Sequence, residues 1–237
     1  MTLTLPTLAK MIDHSLLHPT MTDRELLDGC ALALRYDVAS VCIKPYAVLL
    51  ARDLLGGSGV VVGTVIGFPH GSSAVIIKLR EAEQALADGA SELDMVVNVG
   101  KVLSGDWAYV SAEIRLANEL TRSGGGLLKL IFENDYLPDD EHKIRLCHLC
   151  NEHGVAYAKT STGYGFVKQP HGAYSYAGAT DHDLRLMRRE CWPSVQIKAA
   201  GGVRTLDDLL RVRTLGATRA GATATAAILD EAKERGY

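Results

Sequence analysis

The amino-acid sequence predicts a (β/α)8 TIM barrel, one domain over residues 1–237. Three observations carry that expectation. Short, β-branched apolar runs alternate with amphipathic stretches eight times along the chain. The length, 237 residues, is close to the roughly 250 that eight strand–helix pairs occupy. Ionisable residues recur near the C-terminal ends of the apolar runs, the face on which barrel enzymes build their sites.

The first run covers residues 10–13 and leads to a helical pattern over 23–35, which Thr22 or Asp23 caps with Glu25 in the first turn. Residues 40–43 lead to a helix over 45–54, where Pro45 suits a first turn because its missing N–H has no partner there anyway. Run 60–66 precedes helix 73–87, run 92–97 precedes helix 106–121, and run 127–132 precedes helix 138–152. Run 156–159 is separated from helix 181–189 by a longer segment. Run 195–199 precedes helix 206–212, and a weak run, 218–220, precedes helix 224–234. Glycines follow several helices, at Gly56, Gly57, Gly89, Gly154 and Gly216, where a left-handed cap is wanted. A doubly wound open sheet would place a glycine-rich fingerprint after its first strand. Here that strand runs into Asp13-His14-Ser15-Leu16-Leu17, which argues against it.

Composition removes several function classes. Lys+Arg is 25 against Asp+Glu 28, a formal net charge of −3, so no field exists for gripping nucleic acid or an anionic membrane. The longest apolar stretch, residues 60–68, is far shorter than the roughly 20 residues of a membrane helix. The opening MTLTLPTLAKMIDH lacks the basic start and apolar run of a secretory signal. Five cysteines, an odd number, suit reduced thiols and a cytoplasmic location.

Charges inside buried strands need a reason. Asp13, Asp94, Lys159 and Lys198 each lie at or near a strand end, and Lys129 and Glu133 flank a fifth strand. Lys129 and Glu92 read equally well as a satisfied ion pair. Two lysines in one pocket have a specific chemical use. An ordinary lysine, with a pKa of about 10.4, is protonated at neutral pH and cannot attack a carbonyl. Burial and a second ammonium both disfavour its charged form, which frees one amine as a nucleophile. A carboxylate such as Asp94 then carries protons for carbinolamine dehydration. The set reads as Schiff-base carbon–carbon chemistry, which calls for no metal and no cofactor. Two glycine loops mark the other end of a substrate: Ala199-Ala200-Gly201-Gly202-Val203-Arg204, and Ala220-Gly221-Ala222-Thr223 at the start of the last helix. Barrel phosphate sites commonly follow strands seven and eight, where bare N–H groups meet an anion.

These segments resemble the deoxyribose-phosphate aldolase family. The matching stretches are Ile12-Asp13-His14-Ser15-Leu16-Leu17, Ser40-Val41-Cys42-Ile43, Gly67-Phe68-Pro69-His70-Gly71, Gly89-Ala90-Ser91-Glu92-Leu93-Asp94-Met95-Val96-Val97-Asn98, Lys159-Thr160-Ser161-Thr162-Gly163 and Lys198-Ala199-Ala200-Gly201-Gly202-Val203-Arg204. They run in family order over most of the chain. The resemblance implies reversible cleavage of 2-deoxy-D-ribose 5-phosphate to D-glyceraldehyde 3-phosphate and acetaldehyde. It makes Lys159 the imine-forming lysine, Lys198 its pKa-lowering neighbour and Asp94 the acid/base carboxylate, with Asp13 ordering the lysines and water. Cys42 matches a pocket position. Phosphate contacts would come from Thr162, Gly163, Gly201, Gly202, Val203, Arg204, Gly221 and Thr223. Tyr237 matches a C-terminal tyrosine that reaches the active site in some members, and a frayed tail is the alternative. A homodimer is implied by family, with small-molecule phosphosugars and aldehydes as partners.

Two departures affect acceptor and phosphate preference. Residues 164–177 are inserted before Gly178-Ala179-Thr180, and Ala224 stands where relatives carry a hydroxyl. The insertion carries four aromatics and follows the Schiff-base strand, so it reads as a lid over the pocket or as a subunit contact. Cys147 and Cys150 have zinc-like spacing, but they lie in a helical pattern without a second cysteine pair, which favours reduced thiols on a helix. His14, His18 and His70 sit near the predicted active face, where hydrogen-bonded or solvated roles are commonest. Two further readings stand beside the leading one: an imine aldolase for another aldehyde or phosphosugar, and a non-catalytic phosphosugar-binding barrel. Lys159, Lys198 and Asp94 argue against the last, since holding a phosphate requires none of them.

Overall fold

The computed structural model describes residues 3–237. Eight parallel strands close a barrel: β1 (Ile12–Leu16), β2 (Ser40–Ile43), β3 (Val61–Ile66), β4 (Glu92–Val96), β5 (Leu127–Ile131), β6 (Tyr157–Lys159), β9 (Gln196–Ala200) and β10 (Arg219–Ala222), which pairs back onto β1. Between β6 and β9, the two-residue strands β7 (Val167–Lys168) and β8 (Tyr174–Ser175) form a separate antiparallel hairpin.

The surrounding helices are α2 (Asp23–Tyr36), α3 (Val48–Leu55), α4 (Val75–Asp88), α6 (Trp107–Ser123), α7 (Asp140–His153), α8 (Asp181–Glu190), α9 (Leu206–Thr214) and α10 (Thr225–Glu234). The expected Thr22 cap is present: Glu25 Oε2 accepts from the Thr22 amide at 2.7 Å, and the Thr22 hydroxyl faces the Glu25 amide in return.

Two short helices lay outside the sequence expectation, α1 (Leu5–Ala9) and α5 (Val99–Leu103). Thr4 and Thr7 form a capping box with Pro6 in the first turn of α1, and the Asn98 side chain accepts from the Lys101 amide to start α5. The first strand is displaced from residues 10–13 to 12–16. Lys10 instead ends α1 and reaches Asp37 at 2.7 Å. Asp13 is therefore the second residue of its strand, and Asp94 and Lys198 are mid-strand. The ionisable residues lie within the barrel interior rather than along its rim.

The two-residue period of a strand explains how a chain this apolar carries them. Leu93 and Met95 point outward into the core under the helices, while Glu92 and Asp94 point inward. A second buried ion pair braces this strand from outside. Lys78 on α4 and Glu113 on α6 meet at 2.7 Å, each about 1% exposed. Lys78 also donates to the Val96 carbonyl at 2.8 Å, and Glu113 accepts from the Asn98 amide at 3.0 Å. Removing either partner leaves an uncompensated buried charge, at a cost of about 3–5 kcal/mol.

Candidate active site

Strands β6 and β9 are neighbours, and their register sets Lys159 opposite Lys198. The Thr160 hydroxyl fastens the two strand ends, donating to the Ala200 carbonyl and accepting from the Ala200 amide, both at 3.0 Å. Both ammonium groups converge on one atom. Asp94 Oδ2 lies 2.7 Å from Lys159 Nζ and 2.6 Å from Lys198 Nζ. Lys198 also reaches Asp13 Oδ2 at 2.5 Å. Beneath them, Lys129 Nζ stands 2.8 Å from Asp13, 2.6 Å from Glu92 and 3.2 Å from Asp94 Oδ1. Arg219 closes the base, 2.9 Å from Glu92 and paired with Asp13.

The electrostatics separate the two lysines. Burial pushes the Lys159 ammonium below its ordinary range; the Asp94 carboxylate opposes that, and the Lys198 charge reinforces it. Burial acts on Lys198 too, but Asp13 and Asp94 together outweigh it and hold Lys198 above its ordinary value. Burial alone would raise Asp94; Lys129, Lys159 and Lys198 overcome it and keep the carboxylate well below the usual range. The same contest, with Lys129, Lys198 and Arg219 winning, holds Asp13 low. Three carboxylates thus face four cations, so the cluster becomes neutral when one cation gives up its proton. Lys159, with a single carboxylate partner, is the one that burial favours losing it.

Above the cluster opens a cavity of about 550 Å³. Its walls include Asp13, Cys42, Lys159 and Lys198, together with Thr162, Gly163, Gly201, Gly202, Val203, Arg204, Gly221 and Thr223. Asp94 is not on the wall; it lies fully buried under both lysines. Cys42 is buried, and its thiol is pushed up to about 11 by burial and by the Asp94 charge, so it faces the cavity as a neutral group. The Thr162 hydroxyl is committed elsewhere: it donates to Glu133 and accepts from the Tyr164 amide at 2.9 Å. Among the described residues, the amides of Gly163, Gly202 and Val203 have no hydrogen-bond partner.

The insertion roots at the mouth of this cavity, and Tyr164, Phe166 and Tyr176 join its walls. Two carboxylates from the turn after β5 hold the roots. Glu133 accepts from the Thr162 amide at 3.2 Å, and Asp135 accepts from the amides of Ala177 at 2.5 Å and Gly178 at 3.1 Å. Gly178, at φ 67°, approaches the Gly201 backbone so closely that a Cβ would stand 2.6 Å from its carbonyl oxygen. Tyr174, at the far end of the hairpin, is exposed.

One sequence assignment fails on geometry. Tyr237 does not line the cavity. α10 starts at the mouth and runs back along the barrel, so its end lies at the opposite face, where half-buried Tyr237 packs on the core. His14 is buried and bonded to the Thr225 hydroxyl at 2.8 Å, with burial lowering its pKa to about 4. His18 borders the cavity and His70 is exposed. Cys147 and Cys150 are buried in α7, where burial, and for Cys147 first the neighbouring Cys191 thiol, keeps them protonated. The sequence left Lys129 and Glu92 undecided, marked Glu133 only as a charge beside the fifth strand, and gave no sign of Arg219 or Asp135. The Glu92/Asp94 spacing of two was a usable signal, because it sets both on one strand face.

Comparison with known proteins agrees with this architecture. The family model described as "DeoC/LacD family aldolase" matches residues 7–230. A deoxyribose-phosphate aldolase of Rhodopirellula baltica is 54% identical over 227 residues, covering 96% of this chain and 90% of the relative. A solved structure from Coccidioides immitis superposes with a TM-score of 0.89 at 32% identity, over 98% of this chain and 88% of that one. The tetrameric deoxyribose phosphate aldolase of Aeropyrum pernix gives a TM-score of 0.85 at 28% identity, over 97% and 93% of the two chains. Fold and relatives together define an aldolase, hence a lyase, acting on small molecules. Within that class the chain belongs to the DeoC/LacD aldolase family. Among the described residues, no helix is long and apolar enough to cross a membrane.

Proposed function

We propose that the chain cleaves 2-deoxy-D-ribose 5-phosphate reversibly to D-glyceraldehyde 3-phosphate and acetaldehyde, through a Schiff base on Lys159. The observation that carries this reading is the convergence of Lys159 and Lys198 on a single oxygen of Asp94. That arrangement favours a neutral amine at Lys159 beside a permanent cation at Lys198.

The neutral amine adds to the C1 aldehyde, and the carbinolamine loses water to give a protonated imine. Loss of the C3 hydroxyl proton breaks the C2–C3 bond; its electron pair passes to the imine nitrogen, leaving an enamine and releasing glyceraldehyde 3-phosphate. Protonation at C2 and hydrolysis then free acetaldehyde and Lys159. Asp94 Oδ2 touches both amines, so it is the shortest proton route between them. Because its ionised form is strongly favoured, Asp94 works as a bridge that returns each proton at once. Cys42 and Asp13 complete the wall around the reacting carbons.

The phosphate end fits the loops after β9 and β10. The free amides of Gly163, Gly202 and Val203, the start of α10 and the Arg204 side chain offer donors and positive potential. Gly202 has φ 87°, a conformation that a β-branched residue resists. Gly202→Val is expected to raise KM for the phosphorylated sugar roughly ten-fold, and to change it far less for free deoxyribose. Equal effects on the two substrates would move the phosphate elsewhere. The homodimer implied by the family resemblance belongs to this reading, and light scattering on the purified protein measures it. So does a cytoplasmic location, which the five free thiols support.

Sodium borohydride with acetaldehyde tests the imine directly. Reduction is expected to leave one ethyl group on Lys159, seen as a mass gain on the peptide that contains it. No adduct, or an adduct on another lysine, overturns the assignment.

A further inference from the structure

We propose that the inserted hairpin belongs to the phosphate site: the Tyr176 hydroxyl positions Arg204 to receive the anion. This rests on the reading that the β9 loop holds a phosphate. Arg204 Nη2 donates to the Tyr176 hydroxyl at 3.3 Å, and both residues line the cavity. Among the described residues, Arg204 is the one arginine on that wall. Its guanidinium has no carboxylate partner among the described residues. Its neighbours differ: Arg211 is paired with Asp181, and Arg235 with Asp207 at 2.7 Å. A guanidinium left without an anion at the mouth of a substrate cavity is available for one.

A flexible arginine alone would lose side-chain entropy on each binding event. Tyr176 reduces that loss because it is itself held. Its ring lies over Gly201, with Cε2 3.3 Å from where a Cβ would stand, so the bare glycine makes room for it. Phe166 packs edge-on against the same ring, with centroids 5.2 Å apart. Asp135 fixes the chain immediately after it through the amides of Ala177 and Gly178. Tyr176 therefore touches the phosphate loop with its ring and the phosphate-facing cation with its hydroxyl. It is a positioning residue, and the insertion contributes to substrate choice through it.

Tyr176→Phe keeps the ring and removes only the hydroxyl. The quantity to read is the ratio of kcat/KM for deoxyribose 5-phosphate to that for free deoxyribose. In Tyr176→Phe this ratio is expected to fall about three- to ten-fold, the change residing in KM for the phosphorylated sugar, and inhibition by inorganic phosphate is expected to weaken in parallel. The double variant Tyr176→Phe/Arg204→Gln is expected to be no worse than Arg204→Gln alone, because one acts through the other. An undiminished ratio in Tyr176→Phe, or losses that add in the double variant, overturns the positioning role while leaving the phosphate site intact. A wild-type ratio near one overturns the phosphate reading itself, and the role of Tyr176 with it.

Discussion

Replacing Lys159 with leucine is expected to lower turnover of deoxyribose 5-phosphate by roughly four orders of magnitude or more, since the variant lacks the atom that forms the imine. The protein should remain folded, and the charge cluster says why. Without Lys159, Lys129, Lys198 and Arg219 still face Asp13, Asp94 and Glu92, so the barrel interior stays neutral overall. Leucine also fills a site that is almost fully buried. Circular dichroism melts should therefore change little while the borohydride adduct disappears. Near-wild-type cleavage by a folded variant would sink the Schiff-base assignment. A variant that is inactive and also unfolded would instead show that Lys159 carries structural weight, and Lys159→Met, closer in shape, would separate the two effects.

Where hydrophobic period and chemistry agreed, the sequence was easy to read. Seven strands fall within a few residues of their expected places, because apolar β-branched runs have few alternatives once helices flank them. The first strand misled because it buries Asp13 and His14 along with Ile12 and Leu16, and turns half-buried Ser15 to the cavity. Asp13 is satisfied by cations inside the barrel and His14 by Thr225 outside it, partners more than a hundred residues away that no local pattern reveals. Helix α5 was invisible because five residues are too few for a period to show. The lysine pair and the glycine loops were legible, since both are chemical signals carried by residue type. The order of charges was not. Whether Lys129 sits with the reactive lysines or beneath them depends on register, and register is set by the closed ring of strands. The hairpin's place at the cavity mouth followed from its attachment to β6, but its link to Arg204 is a contact across the fold that spacing alone does not give.

The companion variant, Lys198→Leu, is expected to stay partly active and to move its pH dependence alkaline. Two effects act in the same direction on Lys159. The like charge that disfavours its ammonium is removed, and Asp94 loses a competing partner and so pairs more strongly with Lys159. The cluster then holds Lys129, Arg219 and Lys159 against three carboxylates, so neutrality now requires Lys159 to keep its proton. Its pKa rises, by roughly one to three units for a charge at this separation. The amine attacks only when neutral, so at any pH below the original pKa each unit of rise lowers the reactive fraction about ten-fold. Cleavage near pH 7 should fall roughly ten- to a thousand-fold, and the acidic limb of the kcat/KM profile should shift alkaline by the same number of units. Activity should recover as pH increases toward that limb. A uniform loss at every pH, with the limb unmoved, would refute the charge argument. Lys198 would then matter only for holding Asp13 and Asp94 in place, and the lowered pKa of Lys159 would have to come from burial alone.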